Sequence, residues 1–161
     1  MSTAITAYRD AVLMASDSGY CPPDAVLSQI HSALRGAVPR FVSLVANLDD
    51  STPPRANGLL VVFTDSLVAH VTFARMPGND ADTDAVGPFT VEVARRTALT
   101  SLSIIYQTNH DSAYDVSVGA LAPSARIILK YTGFSAELAI TKAGTEHDVD
   151  ALYAALLTEL A

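Results

Sequence analysis

Between Leu59 and Ile140, apolar residues recur at every second position in one segment after another. Leu67, Ala69, Val71 and Phe73 alternate with Val68, His70 and Thr72, and Phe89, Val91 and Val93 with Thr90 and Glu92. The same holds for Leu102, Ile104 and Tyr106, for Ala125, Ile127, Leu129 and Tyr131, and for Phe134, Ala136, Leu138 and Ile140. A period of two belongs to a strand with one dry and one wet face. Leu59–Thr64 is nearly all apolar, so it is expected to be covered on both faces. Strands of this kind joined by short turns make an antiparallel sheet. Such a sheet must close on itself or lay its dry face on helices. Asp65-Ser66 and Thr132-Gly133 read as tight hairpin turns. Residues 49–57 and 76–87, rich in Asp, Pro, Asn and Gly, read as loops. Phe41–Leu48 fits either period, and its β-branched residues after Pro39 favour strand. Tyr114–Val118 is short and reads as strand or loop.

The two ends are helical. Ile5, Tyr8, Val12 and Ala15 are spaced by three and four residues, one face of a helix. Pro22-Pro23-Asp24 opens a second helix with the stripe Val26, Leu27, Ile30 and Leu34, and Gly36 is its expected C-terminal cap. Thr145 with Asp148 reads as a capping pair for a last helix, striped by Val149, Leu152, Tyr153, Leu156 and Leu160. The expected order is two helices, seven or eight strands, and a helix.

Composition narrows the function classes. A chain of 161 residues with half its residues apolar and 17% charged can bury an ordinary core without metal or disulfide. A net charge of −7 argues against nucleic acid and anionic lipid, since both want a basic face. Cys21 is the only cysteine, so no intrachain disulfide forms, which fits a reducing compartment. No basic-then-apolar leader and no run of membrane-spanning length is visible. The expectation is a cytoplasmic protein.

With these elements in place, the chain resembles the bacterial pleckstrin-homology-like domain over about residues 41–160. The stretch Gly58-Leu-Leu-Val-Val-Phe-Thr64-Asp65-Ser66-Leu67-Val-Ala-His-Val-Thr-Phe73 looks like that family's apolar strand, Thr-Asp turn and following strand. Ala98–Ile104, Ile127–Ile140 and the segment from His147 look like its later strands and closing helix. The resemblance implies an α+β fold: an antiparallel β-barrel of two orthogonal sheets, plugged by the C-terminal helix. Residues 1–38 would be a helical leader and 39–161 the barrel. Phosphoinositide-binding relatives carry basic residues in the loop after the first strand. Here that loop holds Asp49, Asp50 and a single Arg55, so headgroup binding is not carried over.

Candidate chemistry is sparse. Asp80, Asp82 and Asp84 alternate as a calcium loop begins, but Ala85 and Val91 occupy the positions that need glycine and glutamate, so a solvated loop is expected. His110 with Asp111 or Asp115, near Ser112 and Ser117, lacks a strained-turn glycine pattern and reads as a polar turn. His70 reads as a solvated or cross-strand residue on the wet face of its strand. His31, His70, His110 and His147 show no ligand spacing, so no metal is expected. Cys21 reads as a small apolar residue at a helix entrance rather than a nucleophile. Arg95-Arg96 reads as a solvated strand end. The expectation is therefore no catalytic, cofactor or metal site. The chain reads as a non-catalytic interaction module that binds protein partners or itself, possible homo-oligomers included. The alternatives are a carrier of a small apolar ligand and a chaperone-like assembly protein built as an α+β dimer.

Overall fold

The computed structural model describes residues 2–79, 86–106, 121, 125–141 and 149–161. Helix α1 spans Thr3–Ala15, with the Ser2 side chain accepting from the Ile5 N–H, and it buries the stripe Ile5, Tyr8, Val12 and Ala15. Helix α2 spans Asp24–Ala33 and buries Val26, Leu27 and Ile30, with Leu34 buried just beyond. Helix α3 spans Val149–Leu160 and buries Val149, Leu152 and Leu156.

Seven strands form two antiparallel sheets. The first is a four-stranded meander of β1 (Phe41–Leu48), β2 (Ala56–Phe63), β3 (Leu67–Met76) and β4 (Phe89–Arg95). The second, in the order β5-β6-β7, holds β5 (Leu99–Ile105), β6 (Arg126–Tyr131) and β7 (Leu138–Thr141). Phe41–Leu48 is thus strand throughout, pairing residue for residue from Phe41↔Phe63 to Leu48↔Ala56. The hairpin turn forms at Asp65-Ser66, where the Thr64 N–H donates to the Leu67 carbonyl at 2.9 Å.

The four-stranded sheet is covered on both faces, as the apolar run in β2 requires. Leu60 and Val62 of β2, with Ala69, Val71 and Phe73 of β3, face α1 and α2 in one core. Val61, Phe63 and Val68 face Ile127, Leu129, Leu138 and Ile140 of the second sheet in another, which also takes in Leu152 and Leu156 of α3. Each fully buried aliphatic side chain contributes about 1.5–3 kcal/mol. The two N-terminal helices therefore share a core with the sheet that follows them.

Three expectations need correction. The sheets do not close into a barrel: the chain leaves β4 through a 3₁₀ turn at Arg96–Ala98, and the seven strands stay in two separate ladders. The last hairpin turns at Thr132-Gly133 as expected, but its strands do not pair directly after the turn. The Phe134 N–H closes that turn on the Tyr131 carbonyl and its ring packs against Tyr131, and pairing resumes only at Leu129↔Leu138, so β7 begins at Leu138. The cap of α2 is shifted by one: Gly36, at φ +75°, lies one residue after the first left-handed position, which Arg35 occupies at φ +55°. Tyr114–Val118 and Thr145 lie outside the described residues.

Candidate functional site

The C-terminal turn of α2, the β2–β3 turn and the end of β4 meet at a cleft of about 430 Å³ that Glu159 of α3 also lines. The α2 turn is a Schellman motif. The Gly36 N–H donates to the His31 carbonyl at 2.9 Å and the Arg35 N–H to the Ser32 carbonyl at 3.0 Å. Glycine is the usual residue where Arg35 sits, because a Cβ in the left-handed region is strained.

Arg96 is held from several sides. Its backbone N–H donates to the Ser66 carbonyl at 2.9 Å and its Nη1 to the Thr64 carbonyl at 2.8 Å. Its guanidinium lies 5.6 Å from the Phe63 ring centroid. Its Nε stands 2.7 Å from Glu159 Oε1, with the two side chains only 11% and 20% exposed. That approach brings the charges together without an aligned hydrogen bond, because Arg96 Nε and Glu159 Oε2 both lack a hydrogen-bond partner among the described residues. The buried Tyr131 hydroxyl lies in the same electrostatic neighbourhood. Burial, then the Glu159 charge, push its pKa up, while Arg96 opposes them. Arg96 is therefore a largely buried tie and not the solvated strand end expected for it.

Asp65, also on the cleft, is engaged by Arg40 through Nε at 2.9 Å and Nη2 at 3.1 Å. That fork holds the Asp65 carboxyl below its usual range. Both partners are well exposed, so solvent screens the pair and it adds little to stability. Arg35 and Arg95 line the cleft as well and are exposed. Among the described residues neither has a side-chain hydrogen bond or ion pair.

A second polar group lies between the sheets. His70 is only 4% exposed, which corrects the solvated reading. The wet face of β3 is dry because the second sheet covers it, and the ring packs 5.9 Å from that of Phe134. His70 does stand opposite Glu92 across the β3–β4 ladder. Burial pushes the His70 pKa down, and the Glu92 charge opposes that. Glu92 accepts from Ser135 Oγ at 2.5 Å and from the Ser135 N–H at 2.8 Å, which hold its carboxyl below the usual range. A nucleophilic triad places histidine between serine and acid. Here the carboxylate takes the serine proton's hydrogen bond directly with no histidine between them, and its lowered pKa makes it a weak base toward Ser135. The group acts as a latch from β4 to the β6–β7 connection.

Cys21 is buried, and its thiol pKa is pushed up to about 11 by burial, with Asp24 adding to the rise and Arg9 opposing it. A protonated, enclosed thiol is inert. Around it, Asn79 ties the loop after β3 to the entrance of α2, with Nδ2 donating to Asp24 Oδ1 at 2.7 Å and to the Pro22 carbonyl at 3.0 Å. Arg9 pairs with the same carboxylate. His31 packs edge-on against Tyr8.

Asp80, Asp82, Asp84, His110, Asp111, Ser112, Asp115, Ser117 and His147 lie outside the described residues. Among the described residues no group of three His, Cys, Asp or Glu side chains could hold a metal ion. No helix among them is long and apolar enough to cross a membrane. The sequence reading missed Arg35, Glu159 and Ser135. The dipeptide Arg35-Gly36 at a helix end carried a signal for the first, since a glycine just past a helix marks a left-handed C-terminal turn in which its neighbour also takes part.

No protein-family model matches the chain, and no curated protein or solved structure matches it.

Proposed function

We propose that the protein is a non-catalytic interaction module whose β1 edge takes a further strand, supplied first by a second copy of the chain. The observation that carries this reading is the outer edge of β1. Phe41-Val-Ser-Leu-Val-Ala-Asn-Leu48 has no charge and no proline, and Val45 and Leu48 are 52% and 43% exposed. Among the described residues nothing hydrogen-bonds the backbone of Ser43–Leu48 on the side away from β2. Sheets ordinarily guard such an edge with charge, proline, brevity or a cover. Of the sheet edges, β4 carries Glu92 and Arg95 and β7 is four residues long, while a helix packs against each of the remaining two, α3 against β5 and α1 against β1, where Leu44 and Ala46 join the core beneath it. Strand addition supplies main-chain hydrogen bonds for affinity and pockets for alternate side chains for specificity. Two antiparallel sheets followed by a helix also keep a pleckstrin-homology-like origin within this proposal, with the open sheets as a departure from that family.

Size-exclusion chromatography with light scattering, run over a wide concentration range, tests it. A reversible dimer is expected, with amide exchange at Ser43–Leu48 slowing as the dimer fills and Val45→Lys restoring the monomer. A monomer at every concentration, with exchange at these amides independent of concentration, overturns the reading.

A further inference from the structure

We infer that the cleft between α2, the β2–β3 turn and α3 binds an acidic peptide segment bearing two carboxylates, one for each of Arg35 and Arg95. The site is separate from the β1 edge.

The first argument is charge. The chain has ten basic residues against seventeen acidic ones, yet Arg35, Arg95 and Arg96 all line this one cleft. The acids that share it are already engaged, Asp65 by Arg40 and Glu159 by Arg96. Two guanidiniums are left without a partner among the described residues. Each presents a planar fork that suits a carboxylate in a two-point contact. Two free positive charges match two carboxylates. A polyphosphate or a nucleic acid would bring more negative charge than they can offset and would meet the net −7 of the rest of the chain.

The second argument is backbone strain. Arg35 sits at φ +55° in the one position of the Schellman turn where glycine is easiest, directly before a glycine. Strain held at a surface turn by an exposed residue points to its side chain as the reason. The third argument is shape. Leu34, Ala37 and Leu67 give the cleft an apolar floor, and its volume of about 430 Å³ suits a few residues of an extended peptide.

The test uses a labelled six-residue peptide with two glutamates, blocked at both ends, and its twin with two glutamines. Fluorescence anisotropy is read at a protein concentration where light scattering reports monomer, so strand pairing at β1 and binding in the cleft are measured apart. The glutamate peptide should bind, the glutamine twin should not, and added salt should weaken the complex. Arg35→Gly and Arg95→Gln should each lower affinity by about two- to fivefold, the worth of one solvent-exposed charge contact. Arg35→Gly should at the same time raise the thermal unfolding midpoint, which removes misfolding as a reason for lost binding. Equal binding of both peptides, unchanged affinity in Arg35→Gly, or no binding by the wild type overturns the inference. Inorganic phosphate displacing the peptide at lower concentration than glutarate would reassign the cleft to a phosphate ligand and overturn it as well.

Discussion

At the scale of single residues, the most informative side chain is the one whose environment the alternating pattern misjudged. His70 occupies a position that a one-sided sheet would leave wet, but the second sheet covers that face and burial pushes its pKa down. A histidine kept neutral in the fold and free to protonate when unfolded destabilises the protein on the acid side. The stability it contributes is fully present above the ordinary histidine value of 6.5, and it is lost as pH falls through the depressed folded value. One such group gives a slope of up to about 1.4 kcal/mol per pH unit within that window. Glu92, which faces His70, also titrates from a lowered value, but in the carboxylate range, so its loss comes at lower pH. Urea midpoints of the wild type should therefore begin to drop just below pH 6.5. In His70→Leu that first drop should be absent while the lower one remains. Parallel pH profiles for the two proteins would show that His70 is not the group responsible.

The elements were legible where a single stripe determines them. Ile5, Tyr8, Val12 and Ala15 are the residues α1 buries, because 3.6 residues per turn leaves little freedom about which face is dry. Register and irregularity were less legible. The sequence reads Asn57-Gly58 as the end of a loop, yet both lie in β2, beside a register shift between Ala56 and Gly58 in its pairing with β3. Asn57 Oδ1 accepts from the Arg75 N–H at 2.9 Å, and Arg75 itself is left-handed at φ +51°. A bulge of this kind needs long-range partners, and no local propensity announces it. Gly58 is required there by contact rather than by dihedral angle. A Cβ would stand 2.1 Å from the Val45 carbonyl oxygen and 3.0 Å from the Ala46 Cα, both backbone atoms that cannot yield without moving β1. Gly58→Ala should cost about 1–3 kcal/mol, the usual range of overpacking with backbone displacement. A change below about 0.5 kcal/mol in chemical denaturation, the scale of an indifferent surface site, would mean that β1 and β2 are not this close.

At the scale of the molecule, what the sequence could not show is how the two sheets are held together. Periodicity gives each strand a dry face but no indication of which dry faces meet, and a closed wall and two stacked ladders share the same alternation. The answer lies in groups that the pattern treats as surface. Ser135 reaches Glu92 from the β6–β7 connection, and Arg96 joins the β2–β3 turn, Phe63 and α3 through one guanidinium. The Arg96–Glu159 pair is largely withdrawn from solvent, so its two charges have already lost most of their hydration. Removing one of them then leaves the other uncompensated, whereas removing both leaves nothing to compensate. Arg96→Met should therefore cost about 2–4 kcal/mol, with Glu159→Leu of similar size. The double variant should be less destabilised than the sum of the two by at least about 1 kcal/mol, the coupling expected for residues in contact. Simple additivity in denaturant titrations would mean that the pair does not bind α3 to the first sheet. Loss of Arg96 should also expose amides of α3 to exchange sooner than those of α1, which packs on the opposite face of the four-stranded sheet and shares none of these contacts.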